Sequence, residues 1–263
     1  MTIQPSLFIP HGGGPCFFMP DPRGTWTKMG DYLRALPASL PEKPCAILVV
    51  SGHWEERSFA FTGAAEHPGL IFDYYGFPPE TYRLSWTAPG APWLAARGSA
   101  LLAEAGLPSS VDAERGFDHG VFVPLKVMFP EAEVPVVQMS LHASLDPALH
   151  LAAGRALAPL RAEGVLVVGS GMSFHNLRAM GDPRVAGPSA EFDGWLTEAA
   201  QAGPDERADL LGHWAEAPFA RLCHPREEHL LPLMVAAGAS AEPGTHDYAD
   251  QVLGGAVSAF RFA

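Results

Sequence analysis

Four short apolar runs, each leading into a histidine, constrain this chain more than any other feature. "SLFI" (Ser6–Ile9) leads through Pro10 to His11, and "CAILVVS" (Cys45–Ser51) through Gly52 to His53. "VPVVQMSL" (Val134–Leu141) runs directly into His142, and "GVLVVGS" (Gly164–Ser170) reaches His175 a few residues later. Short runs rich in β-branched residues read as buried strands rather than helices. Helical patterns lie between and after them. Gly90–Gly106 has helical apolar spacing and stops on Gly. Asp146–Ala162 opens on Asp-Pro, an N-cap followed by Pro at N1. Ser189–Ala202 and Glu228–Gly238 also read as helices, and "YADQVLGGAVSAFRF" (Tyr248–Phe262) predicts closing strands. Strands alternating with helices imply an α/β layered sheet. With these strands parallel, four imidazoles crowd the carboxyl edge, where open α/β sheets bind ligands. No Pro/Gly/Ser-rich linker divides the chain, so residues 1–263 are expected to form one domain, and 48% hydrophobic content suffices for a sizeable core.

The charge balance narrows the partners. A net charge of −12 argues against a nucleic-acid backbone or an anionic membrane surface. No apolar run approaches the roughly 20 residues of a membrane helix. Cys16, Cys45 and Cys223 form no CxxC pair, and an odd count without a signal peptide fits a reducing cytoplasm. The expectation is a soluble cytoplasmic protein.

"LFIPHGGGP" (Leu7–Pro15) allows three chemistries: an oxyanion hole, a phosphate cradle, or a metal ligand in an open loop. An oxyanion hole needs a G-x-S-x-G nucleophile elbow. Ser170 has Val168 and Met172 at the flanking positions, and Ser173 has Gly171 and His175, so neither matches. No Walker lysine follows the glycines. Neutral imidazoles with one further ligand can hold Fe(II) or Zn(II) and leave positions open. There is no HExxH, so the ligands must come from separate loops: His11, His53 and one residue of "HPREEHLLP" (His224–Pro232). Glu228 and His229 compete for that place, since adjacent helix residues point about 100° apart. Plainer roles compete too. Glu227 and Glu228 suit the first turn of a helix. His119 could simply hydrogen-bond Asp118 or backbone, and His142 could be a plain strand-end residue. His67 and His224 precede prolines and read as turn caps, while His150, His213 and His246 read as surface positions. The aromatic, Pro-rich segment Phe72–Pro92 reads as a long ordered loop covering something. Its Tyr74, Tyr75 and Trp86 suit either a lid or the core, and Arg83 either a substrate carboxylate or a surface ion pair.

"PHGGGP", "SGHWE", "HPGLIFDYYGFPPETY", "FDHGVFVPL", "GSGMSFHNL" and "HPREEHLLPL" occur in this order along the chain. Taken together they resemble the LigB-type extradiol ring-cleavage dioxygenases, in the 4,5-DOPA dioxygenase-like branch, over nearly the whole length. The resemblance implies a single three-layer αβα catalytic domain with a mixed central sheet. It implies a non-haem Fe(II) centre, with Zn(II) possible as the bound metal, acting on a small aromatic diol and O2 to give a ring-opened semialdehyde. His11 and His53 match the two metal histidines, and His229 the third metal position. A related branch uses a glutamate there, which keeps Glu228 open. His175 matches the acid–base histidine and is placed where it could also ligate. His119 matches a histidine near the dioxygen and substrate pocket. An imidazole titrates near pH 6.5, which suits taking the first catechol proton and returning it later. The bare glycines Gly12–Gly14 would leave room for a flat ring and dioxygen. Met172 and Phe174 stand where smaller residues are expected, which alters the pocket shape. Two other functions remain open on the same residues: a zinc hydrolase using metal-bound hydroxide, and a non-catalytic metal or aromatic binding module.

Overall fold

A computed structural model describes residues 2–63 and 66–263. The strands are β1 (Ser6–Pro10), β2 (Ala46–Glu56), β3 (Phe59–Thr62), β4 (Ser109–Asp112), β5 (Val136–His142), β6 (Val165–Gly171), β7 (Gly244–Val252) and β8 (Gly255–Phe262). They form one mixed sheet in the order β4-β3-β5-β2-β6-β1-β8-β7. The middle is parallel: β2 pairs with β5 and β6, and β6 with β1. Antiparallel pairs β3–β5 and β1–β8 join this centre to its flanks. The four expected apolar runs are the four central strands. Each is buried on both faces, which explains their nearly unbroken Val/Ile/Leu content.

The helices are α1 (Thr27–Ala35), α2 (Pro92–Glu104), α3 (His119–Met128), α4 (Pro147–Leu157), α5 (Pro159–Ala162), α6 (Ala186–Gln201), α7 (Pro204–Gly212), α8 (Ala220–Cys223) and α9 (Leu231–Gly238). One layer is built around α9, which lies on β1, β2 and β6 and packs against α4 and α7. On the opposite face α3 covers β2 and β6, with α1 beside it. The fold is therefore the α/β, three-layer αβα arrangement expected.

Two helix expectations need correction. Asp146–Ala162 is not one helix. Asp146 does cap it, accepting the Ala148 N–H at 2.9 Å, but Pro159 has no N–H and the ladder restarts there as α5. The last helix begins at Leu231, not Glu228. Pro232 occupies its first turn, where a missing N–H costs nothing, and this fixes the start. Glu228 and His229 therefore lie in the turn before α9, and the 100° separation of helical neighbours does not apply to them.

Candidate metal centre and substrate cavity

β2, β6 and β1 are adjacent, so their carboxyl ends share one edge. His11 leaves the end of β1 and donates its N–H to the Gly171 carbonyl at 3.2 Å. His53 lies within β2 rather than after it. The β2–β5 register shifts between Val50 and Glu55, and the extra residues of this bulge turn His53 toward the edge. His229 comes from the turn before α9, which lies directly on the strand ends. Its carbonyl accepts the Met172 N–H at 3.0 Å. A Cβ on Gly171 would stand 2.1 Å from that carbonyl oxygen, so only glycine admits the backbone here.

An acceptor beside each Nδ1 favours the tautomer protonated there. Ser170 gives its hydroxyl proton to the Gly120 carbonyl, so its oxygen accepts from His11 Nδ1 at 3.1 Å. Glu228 Oε1 accepts from His229 Nδ1 at 3.0 Å, and Asp73 Oδ2 lies 3.5 Å from His53 Nδ1. Each ring thus keeps an unprotonated Nε2, and these face one another: His53 Nε2 is 3.2 Å from both His11 Nε2 and His229 Nε2. Three neutral lone pairs at that spacing repel unless a cation sits between them. With nitrogens about 2.1 Å from a metal, a 3.2 Å separation subtends about 100°, between octahedral and tetrahedral values. The donor set fits a divalent metal.

Burial, reinforced by the neighbouring imidazoles, holds His11 and His53 well below the usual histidine range. Burial likewise lowers His229 to about 4, against the opposing pull of Glu228. All three are neutral near pH 7, the state that ligates. Burial pushes the Glu228 carboxyl up, but hydrogen bonds with His175 and His229 outweigh it and hold the group well below the carboxylate range. Glu228 therefore stands as an anion on the Nδ1 side of His229, orienting the ring from behind.

His175 stacks on His229 with ring centroids 3.3 Å apart, and its Nδ1 is 3.4 Å from the same Glu228 oxygen. Its backbone N–H is fixed by the Cys223 carbonyl at 3.0 Å. His119 opens α3, with its ring centroid 3.9 Å from that of His53. It does not bond Asp118. Asp73 Oδ1 accepts both its backbone N–H at 2.9 Å and its Nδ1–H at 2.7 Å, leaving Nε2 free. Burial raises the Asp73 carboxyl, but the bonds from His119 outweigh that and lower it overall. The five histidines singled out for the site, His11, His53, His119, His175 and His229, all line one cavity of about 680 Å³.

Other expectations resolve differently. His142 ends β5 as expected but turns away, bonding Ser144 at 2.8 Å. His150 is not a surface residue: it is fully buried, donating Nδ1–H to the Asp146 carbonyl and accepting the His142 N–H. His224 is buried too, with Nε2 bonded to the Ser173 carbonyl at 2.8 Å. Trp86 belongs to the core, its indole N–H on the Phe129 carbonyl, and Arg83 is exposed away from the cavity. The Phe72–Pro92 loop does cover the site: Asp73, Tyr74, Tyr75 and Phe77 line the cavity. Met172 and Phe174 line it as well, both buried. The sequence reading missed Asp73 and the orienting role of Ser170, which it weighed only as a nucleophile.

An open αβα sheet with a candidate trihistidine centre at its carboxyl edge defines the class of protein. The chain belongs to the family described as the catalytic LigB subunit of aromatic ring-opening dioxygenase, which it matches over residues 7–260. It is therefore a dioxygenase-family protein, and LigB extradiol dioxygenases are non-haem metalloenzymes. It is 41% identical to the dioxygenase tasH of Hapsidospora irregularis, over 97% of this chain and 84% of that one. It is 39% identical to the 4,5-DOPA dioxygenase extradiol of Beta vulgaris (92% and 88% covered), and 38% to that of Escherichia coli K12 (90% and 86%). A crystal structure of an uncharacterized Escherichia coli K12 protein, 30% identical, superposes with a TM-score of 0.76 over 99% of this chain and all of that one. No helix among the described residues is long and apolar enough to cross a membrane.

Proposed function

We propose that residues 1–263 form one catalytic domain, a metal-dependent extradiol dioxygenase that opens the ring of a catechol-type substrate with O2 to give a semialdehyde. The observation that carries this is the convergence of three unprotonated Nε2 atoms on one wall of a cavity that also holds two further histidines. His11, His53 and His229 would hold Fe(II), or Zn(II) as a bound alternative. When bound, Fe(II) supplies open coordination positions and an electron path between a chelated diol and O2.

The chain's own residues do the rest. Gly12–Gly14 and Tyr74 bound the cavity next to His11, and the missing glycine side chains leave room there for a flat ring. His175 is the general base for the first hydroxyl proton and returns it during ring opening. Its stacking on His229 and its contact with Glu228 keep it in reach of both. His119, its Nδ1–H committed to Asp73, faces the cavity with Nε2, which takes up a proton and, once protonated, donates to charge developing at the oxygen side of the ring.

Oxygen uptake by anaerobically iron-loaded protein across a panel of catechols tests the reading, with a yellow ring-opened product expected. No uptake with any catechol, together with ester or amide cleavage by the zinc form, would overturn it.

A further inference from the structure

The cavity has two unlike halves. The buried or half-buried histidines line the inner half, while the half-buried or exposed Met19, Leu177, Met180 and Leu253 line the outer half, toward the rim. Among the described residues no Lys or Arg lines it. Arg178, between the lining residues Leu177 and Met180, is exposed and not part of the wall. Among the described lining residues Asp73 is the one carboxylate; its Oδ1 accepts from His119, and its Oδ2 lies 3.5 Å from His53 Nδ1. A carboxylate or ammonium on the substrate would enter this outer half without a counter-ion. About 680 Å³ is in the range that encloses drug-sized ligands, so a bare catechol would leave most of it to water.

The rim is apolar as well. Tyr75, Leu177 and Leu253 are 91%, 69% and 40% exposed, yet all three line the cavity. Leu253 is also strained. It has φ +48°, followed by Gly254 at φ +87°, in the two-residue turn joining β7 to β8. Such a turn favours Asn-Gly, and a leucine at its left-handed first position is unfavourable. Its carbonyl accepts the Gly181 N–H at 2.7 Å, which ties the turn to the segment carrying Met180. An unfavourable apolar residue at the mouth of a cavity is the kind of local strain found at functional sites.

We propose that the outer half is a substituent subsite, that the substrate is a catechol bearing an uncharged apolar substituent, and that Leu253 at the mouth is a specificity-determining residue. This rests on the dioxygenase reading above.

The test compares catechol, 4-butylcatechol and DOPA, whose side arm carries an ammonium and a carboxylate, on iron-loaded protein. Oxygen uptake gives kcat/KM, and anaerobic calorimetry gives binding. 4-Butylcatechol should exceed catechol by about fourfold for each methylene buried, and DOPA should fall below 4-butylcatechol in both measurements. Leu253→Asn suits the turn, so its Tm should hold or rise, while the butylcatechol-to-catechol ratio of kcat/KM falls about fivefold or more. DOPA equal to or better than 4-butylcatechol, or an unchanged ratio in Leu253→Asn, would overturn the subsite. If none of the three is oxidised, the dioxygenase reading falls, and the binding order alone still upholds or overturns the apolar subsite.

Discussion

Ser170 holds His11 in the tautomer that a metal would need: the serine hydroxyl donates to the Gly120 carbonyl, and its oxygen accepts from His11 Nδ1 at 3.1 Å. Ser170→Ala removes the acceptor and frees the ring to turn or change tautomer. Groups that orient metal-bound histidines typically matter by about 10–100-fold in affinity. The metal affinity of Ser170→Ala, measured by chelator competition, should fall by about that factor while the chain stays folded.

Ligation and proton transfer separate by mutation. His11→Ala or His53→Ala should bring the metal-to-protein ratio close to zero, and turnover with it. His175→Phe keeps a flat ring on His229, so metal content should remain near that of the parent. Its turnover should drop by about 10²–10⁴, the usual contribution of a positioned acid–base group. Full turnover by His175→Phe would remove His175 from the mechanism.

Two histidines outside the site should make the fold acid-sensitive. Burial lowers His150 to about 4 and His224 to about 3. His150 Nε2 accepts the His142 N–H, which a proton on that nitrogen would displace. Among the described residues His224 Nδ1 is buried without a hydrogen-bond partner, so protonating it would strand a charge. Above pH 6.5 both are neutral folded and unfolded, and they add no pH dependence. As pH falls from 6.5 toward these lowered values, the unfolded chain takes up protons that the fold refuses. Stability then falls by roughly 1 kcal/mol per pH unit for each group. Urea unfolding at pH 7 and pH 4.5 should show the loss, with a shallower slope in His150→Gln.

The strands carrying this site were legible because they are central. Burial on both faces makes β1, β2, β5 and β6 nearly unbroken apolar runs, and the histidines at or just past their ends stand out by contrast. β4 was not legible: "SSVD" is an edge strand with three of four residues exposed, so no alternation marks it. α3 escaped for the opposite reason, since "HGVFVPLKVM" is apolar on nearly every side and carries Pro124 in its interior. Asp73 sits in an aperiodic loop 46 residues before His119, and only the folded chain brings them to 2.7 Å. The turn carrying His229 reads as helix from the sequence because Glu227 and Glu228 look like the acidic first turn of α9.

The three glycines beside His11 do different jobs, and enlarging them should separate those jobs. All three line the cavity, but a Cβ on Gly14 would meet the Phe77 ring at 2.8 Å, and Gly14 also has φ +53°. Gly14→Ala combines a clash with a left-handed backbone, which alone costs about 1–2 kcal/mol. It should lower Tm and push the Phe72–Pro92 loop away from the site. Gly13 has no positive φ, and its Cβ would only touch Trp26 at 3.4 Å, an ordinary contact. Gly13→Ala should therefore keep the unfolding free energy within about 1 kcal/mol of the parent and act on the cavity alone. Of the three glycines, Gly13 is then the one whose missing side chain serves substrate space rather than backbone shape. In Gly13→Ala, KM for catechols should rise with metal content unchanged, and a KM equal to the parent's would show that this space goes unused.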